Sequence, residues 1–287
     1  MATNLPILVA HDGSAEAGRA LRWAAEESLR THVPLCVLMV DEVLPPTWGG
    51  VSGWAPMAGT LDVPVNDATA LIDGVRKDLA DAGVGDARVV HRRGHVVDEL
   101  LRAADSASVI VVGSHGHGAA GEALLGSVSQ HLARHASCPV VVVREPHDPH
   151  ARRIVVGIDG SRPSTEALEL ACRRAEETGE TVVALHAWHV RVPSTDVWSS
   201  EPLAVETTER ELLLAECVAG VSTDHPDVMV EQRAVPVSPA RALVDASAEA
   251  SLVVVGSRGL GFFSGLLLGS VSQAVLHRAA CPVLVVR

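Results

Sequence analysis

The chain repeats itself, and that repeat limits its fold more than any other feature of its 287 residues. The stretch LGSVSQHLARHASCPVVVVR at 125–144 returns as LGSVSQAVLHRAACPVLVVR at 268–287, with 13 of 20 positions identical. Upstream, VVGSHGHG from Val111 returns as VVGSRGLG from Val254, and ILVAHDGS from Ile7 returns as IVVGIDGS from Ile154. Three matches in the same order imply one domain present twice, over residues 1–146 and 151–287. The join, REPHDPHARR at 144–153, is polar and holds two prolines, which is linker composition.

Within each copy, short apolar runs alternate with helical periodicity. Strands are expected at 5–10, 35–40, 87–91, 109–112 and 140–143, and helices at 15–30, 67–82, 96–107 and 127–135. The second copy repeats the strands at 154–158, 182–186, 229–234, 252–255 and 283–286. Alternation of this kind predicts an α/β fold: two tandem, doubly wound, five-stranded parallel-sheet domains, Rossmann-like, with strand order 3-2-1-4-5. Two stretches lack periodicity: 43–66, with Trp48 and Trp54, and 190–202, with Trp198. Each is a lid, a binding loop or a surface loop whose tryptophans cover an edge.

Several function classes fall away on composition. A formal net charge of -12 would repel nucleic acid from most of the surface. The five cysteines are odd in number and form no C-x-x-C pair, so a disulfide framework or zinc site is not expected and a reducing compartment fits. No apolar run approaches the roughly 18 residues a membrane helix needs. The N-terminus enters a strand pattern directly, without a signal-peptide layout. The expectation is a soluble, cytoplasmic protein with no nucleic-acid or membrane partner.

The informative motif follows the fourth strand. Gly113-Ser114-His115-Gly116 is followed by nine residues and then Gly126-Ser127; Gly256-Ser257-Arg258-Gly259 is followed by nine and then Gly269-Ser270. Open parallel sheets bind ligands at the carboxyl ends of their strands. Glycines there let the backbone approach a ligand or take positive φ, so that several N–H groups converge on one anion. The next helix begins at the second glycine and adds its unpaired N–H donors, with Ser127 as a cap or a hydroxyl donor. The pattern describes a phosphate cradle without a lysine. The competing account is a turn kept for structure alone, which the duplication at fixed spacing makes the lesser one.

A second element ends the first strand: Ala10-His11-Asp12-Gly13-Ser14 and Gly157-Ile158-Asp159-Gly160-Ser161. Asp12 and Asp159 would sit on the same rim, placed to bind a ribose hydroxyl or help hold magnesium. D-G-S before a helical run is also an N-cap signature. His11 is read as a strand residue turned away from the pocket, and His115 and His117 as polar loop residues rather than metal ligands.

These residues resemble the universal stress protein family in its tandem, nucleotide-binding form, over essentially the whole chain. G-x2-G-x9-G-[S/T] is the most specific part of the likeness; the D-G-S turn and the closing C-P-V strand agree with it. The resemblance implies ATP, with Mg2+, as cofactor. Gly113, Gly116, Gly126, Ser127 and Val128 would form one triphosphate cradle, and Gly256, Gly259, Gly269, Ser270 and Val271 the other. Ser114, His115, Gly118, Ser257, Arg258 and Gly261 would line the same loops. Asp12 and Asp159 would face the adenosine, and the backbones of Met39 and Ala187 the adenine edge. Ala10, where the second copy has Gly157, adds a methyl group and is expected to weaken the first site. The family also implies pairing through the last strands, 139–144 and 282–287, between the two copies, as a homodimer, or both.

The expected function is regulatory: an ATP-binding stress-response sensor that acts through an unidentified protein partner. A slow ATPase is the alternative from another class. No Walker lysine or evident base accompanies the motif, and Arg258 is the one cation in the two loops. A nucleotide-free interaction module is the third reading.

Overall fold

The computed structural model describes residues 5–42, 68–116, 125–144, 148, 150–189, 201–260 and 267–287, with the backbone alone at 201–206. The first half runs β1 (Ile7–Ala10), α1 (Ala15–Thr31), β2 (Leu35–Glu42), α2 (Ala68–Asp81), β3 (Arg88–Gly94), α3 (Val96–Ala104), β4 (Val109–Gly113), α4 (Ser127–His135) and β5 (Val140–Val143). The second runs β6 (Arg153–Gly157), α5 (Arg162–Thr178), β7 (Thr181–Ala187), α6 (Glu201–Ser222), β8 (Val230–Val235), α7 (Pro239–Ala246), a short 3-10 turn, β9 (Leu252–Gly256), α8 (Ser270–Arg278) and β10 (Val283–Val286).

The boundaries differ from the sequence expectation where local chemistry intervenes. β1 begins at Ile7 rather than residue 5, because Pro6 has no N–H to give the ladder. α3 stops at Ala104 rather than 107, with Asp105 as its C-cap. α6 takes in Glu201 and Pro202, which the sequence assigns to a loop; proline is tolerated in a first helical turn, where its missing N–H has no partner to lose. Otherwise the two loops with Trp48, Trp54 and Trp198 lie outside the described residues.

Both halves share a single ten-stranded sheet in the order β3-β2-β1-β4-β5-β10-β9-β6-β7-β8. Each half is parallel and has the expected 3-2-1-4-5 order. The halves meet through β5 and β10, which pair antiparallel with Val141 opposite Leu284. The last strands therefore join the two copies within one chain, and the apolar edges they would expose are consumed. At the free edges, β3 places Arg92 and Arg93 and β8 places Glu231 and Arg233, charges that discourage further strand addition.

Two hydrophobic cores cover the two faces. One packs α1, α2, α5 and α6 on Ile7, Val9, Ile154 and Val156; the other packs α3, α4, α7 and α8 on Leu8, Val112, Val155 and Val255. Alternation along the strands produces this division, and both cores run across the seam. On the first face, Glu27 of α1 pairs with Arg174 of α5, both side chains 11% exposed, and the Arg174 guanidinium lies 5.4 Å from the Trp23 ring centroid. On the second, buried Arg144 leaves the end of β5 and donates to the carbonyls of Leu276 at 2.8 Å and Ala279 at 3.2 Å, at the end of α8. A cation there suits the negative end of the helix.

Candidate functional site

Each half has a hollow at the carboxyl ends of its strands, about 640 Å³ in the first and about 680 Å³ in the second. Both have the size of a small-molecule site. The topology makes the place: β1 and β4 are neighbours, and so are β6 and β9, so the D-G-S turn faces the glycine loop across the crossover point.

The D-G-S turn is built by its own side chains. Asp12 Oδ1 accepts the Ser14 N–H at 2.9 Å, and Asp159 Oδ1 accepts the Ser161 N–H at 3.0 Å. The two serines then cap their helices, Ser14 accepting from Ala17 N–H and Ser161 from Ser164 N–H. Gly13 and Gly160 take φ of 90° and 84°, which the tight turn requires and side chains rarely allow. The capping and ligand-facing readings of this element are thus both compatible with its geometry.

The aspartates also reach the glycine loop. Asp159 Oδ2 accepts the main-chain N–H of Leu260 at 3.0 Å. A side chain on Gly116 or Gly259 would collide with the carboxylate of Asp12 or Asp159. Gly113 and Gly256 answer a different demand, since a Cβ on either would come within 2.8 Å of the first turn of α1 or α5. Gly126 N–H and Gly269 N–H donate to the carbonyls of Ser114 and Ser257, each at 2.7 Å, which closes the two glycine clusters onto each other. The described motif glycines do not have positive φ. At Gly113, Gly116, Gly256 and Gly259 the demand is space for close approach, and the left-handed backbone that the sequence allows for is not used.

A further correction concerns the helix starts. Gly126 and Gly269 are the N-caps of α4 and α8, with no side-chain cap hydrogen bond, and Ser127 and Ser270 are the first helical residues. Ser127 is therefore not the cap that the sequence suggests. Sites that side chains cap at α1 and α5 are left without one where α4 and α8 meet the hollows. Two serines missed by the sequence reading anchor these helices: Ser129 Oγ donates to Gly113 O at 2.7 Å and Ser272 Oγ to Gly256 O at 2.6 Å. The repeated LGSVSQ string carried that signal.

Most of the expected residues meet in the hollows. Ala10, Asp12, Gly113, His115, Gly116, Gly126, Ser127 and Val128 line the first. Gly157, Asp159, Ala187, Gly256, Arg258, Gly259, Gly269, Ser270 and Val271 line the second. Ser114 and Ser257 are buried beneath the loops, at 7% and 1% exposure, and do not line them. Gly118 and Gly261 lie outside the described residues.

Met39 is displaced by one register step. Ala10 sits opposite Leu38 and Gly157 opposite Leu185, so Val40, and not Met39, is the equivalent of Ala187. Met39 is buried in the core on the opposite face, while Val40 lines the hollow. A one-residue shift along a strand reverses the face, so Met39 and Val40 belong to opposite sides of the sheet. His11 lies one residue past β1 and is among the residues at the hollow; its Nδ1 accepts the Gly13 N–H at 3.2 Å. Burial pushes its imidazole below the usual histidine range. The third helix of each copy also contributes to the hollows, Val96 and Leu100 to one and Pro239 and Leu243 to the other, a role the sequence analysis did not assign. A Cβ on Gly157 would meet Leu243 Cδ1 at 3.1 Å.

Among the described residues, no group of three or more His, Cys, Asp or Glu side chains is arranged to hold a metal ion. No described helix is long and apolar enough to cross a membrane.

The profile of the Universal stress protein family matches residues 4–144 and again 150–287. A universal stress protein of Mycobacterium tuberculosis is 37% identical over 294 residues, covering 98% of this chain and 96% of its own. One from Mycolicibacterium smegmatis is 38% identical over 297 residues, with 100% and 98% covered. Among solved structures, a universal stress protein from Archaeoglobus fulgidus superposes with a TM-score of 0.68 at 24% identity, covering 100% of this chain and 99% of that one.

Proposed function

The chain belongs to the universal stress protein family, and from that premise we propose that each of its two domains, 1–146 and 151–287, binds an adenine nucleotide, with ATP and Mg2+ as the pair that occupies a competent site. The observation that carries this reading is the contrast between helix starts: α1 and α5 are capped by serine side chains, whereas α4 and α8 begin uncapped at the hollows. Their first-turn N–H groups and partial positive charge suit a phosphate chain. Val40 of β2 and Ala187 at the end of β7 would offer main-chain groups to the adenine.

Magnesium fits only as an ion carried by the nucleotide. Asp159 Oδ1 already accepts the Ser161 N–H and, at 2.6 Å, its hydroxyl, while Oδ2 accepts from Leu260. The carboxylate retains acceptor capacity for one metal vertex; phosphates and water would supply the rest of an octahedron. Bound magnesium would neutralise phosphate charge beside that carboxylate.

The role is regulatory. Nucleotide would favour the loop conformation that presents its phosphate amides, and a protein partner would read the difference between loaded and empty rims in the cytoplasm. Asp159 is the only carboxylate lining the second hollow among the described residues, and its oxygens hold the loops together. That division favours binding over hydrolysis. Calorimetric titration of the full chain with MgATP tests the proposal: saturable heat, lost with Asp12→Ala combined with Asp159→Ala, is expected. A flat titration of the unaltered chain overturns it. Steady phosphate release, abolished by Gly259→Ala, would replace the regulatory role with a slow ATPase.

A further inference from the structure

The two hollows have nearly the same volume and opposite electrostatic character. Among the described residues, the first is lined by two carboxylates, Asp12 and Glu42, and by no lysine or arginine. The second is lined by one carboxylate, Asp159, and two guanidinium groups, Arg258 and Arg278. The register of the strands pairs the differences: Glu42 stands where the second copy has His189, and the repeated motif puts His115 where it has Arg258. The substitutions thus move both rims in the same direction.

Resting on the nucleotide-binding reading above, we infer that the sites divide the ligand by charge: the second favours the triphosphate, and the first favours an uncharged adenine nucleoside. A polyphosphate brought to the first hollow meets two carboxylates and, among the described residues, no lysine or arginine, and like charges in a partly desolvated cleft repel more strongly than in water. The same carboxylates are good acceptors for ribose hydroxyls or an exocyclic amine, which ask for no counter-charge. His11 does not reverse this balance, because burial favours its neutral form. In the second hollow Arg258 is on the glycine loop itself, and a guanidinium suits phosphate oxygens through its fork of donors.

The test is a titration of the full chain with MgATP and, separately, with adenosine, using the unaltered protein, Glu42→His and Arg258→Ser. Both altered side chains are exposed, so folding is not at stake. The unaltered chain is expected to show two ATP classes differing by at least about tenfold, the scale of one charged phosphate contact. Adenosine should fill both sites within a narrower range. Arg258→Ser should weaken the tight ATP class about tenfold and leave adenosine unchanged, whereas Glu42→His should strengthen only the weak ATP class. Two equal ATP sites in the unaltered chain, or an unmoved weak class in Glu42→His, would overturn the division while leaving nucleotide binding intact. Heat from neither ligand would remove the binding reading itself, and the division with it.

Discussion

Asp159 and Gly259 are in such close contact that the glycine has no room for a side chain: a Cβ would strike the carboxylate Oδ2, 100 residues away along the chain. Asp12 and Gly116 repeat the relationship in the first half. The backbone of Gly259 is not left-handed, so substitution there is opposed by the collision and not by φ. Gly259→Ala should cost about 1–3 kcal/mol in chemical unfolding. Asp159→Ala should also destabilise, by loss of its loop hydrogen bonds, but the double variant should cost less than the two singles added. Strict additivity would show that the two residues do not interact as described.

Glu27 and Arg174 occupy the same position in the two repeats and pair with each other across the seam. Glu27→Arg would leave two guanidinium groups facing each other at a nearly buried site and should cost about 3–5 kcal/mol. Adding Arg174→Glu should recover only part of this, because Arg30 and Glu180 keep their original charges beside the exchanged pair. Thermal denaturation of the four proteins measures the coupling. No recovery in the double exchange would contradict it.

Arg144→Ala removes a buried donor from two carbonyls at the end of α8. A loss of about 1.5–3 kcal/mol is expected, as for hydrogen bonds from a charged group. Lysine should restore little, lacking a fork that spans both acceptors. Because the bonds cross the seam, hydrogen exchange should quicken in α8 as well as in β5. An effect confined to β5 would remove Arg144 from that role.

Burial pushes the thiols of Cys138 and Cys172 up to about 11 and that of Cys281 up to about 12, from an ordinary value of 9.0. Such raised values mean that the folded protein keeps its thiol protons where the unfolded chain gives them up. Stability should hold below the ordinary thiol range and fall as pH rises from about 9 towards 12. Replacing Cys281 with alanine should flatten that decline while lowering stability at neutral pH. Equal slopes for both proteins would refute the assignment.

The order of strands and the meeting of two glycine clusters were legible in the sequence because both depend on local signals repeated twice. Valine runs marked the buried strands, and D-G-S marked a turn. What escaped depended on tertiary distance. Nothing in the string shows that Gly113 answers to Glu16 of α1, or Gly116 to Asp12. The correspondence of Val40, rather than Met39, with Ala187 is set by the ladder, which two strands of unlike length do not reveal as sequence. Leu100 and Leu243 come from helices whose apolar residues read only as core, though their ends reach the hollows.

Since β5 and β10 run in opposite directions while every other pairing is parallel, the two cavities open on opposite rims of the slab. Ligands held in the two hollows would lie at opposite ends of the strands, facing away from each other. Among the described residues, communication between them would have to cross the seam, through the β5–β10 ladder, the paired α1 and α5, or the link from Arg144 to α8.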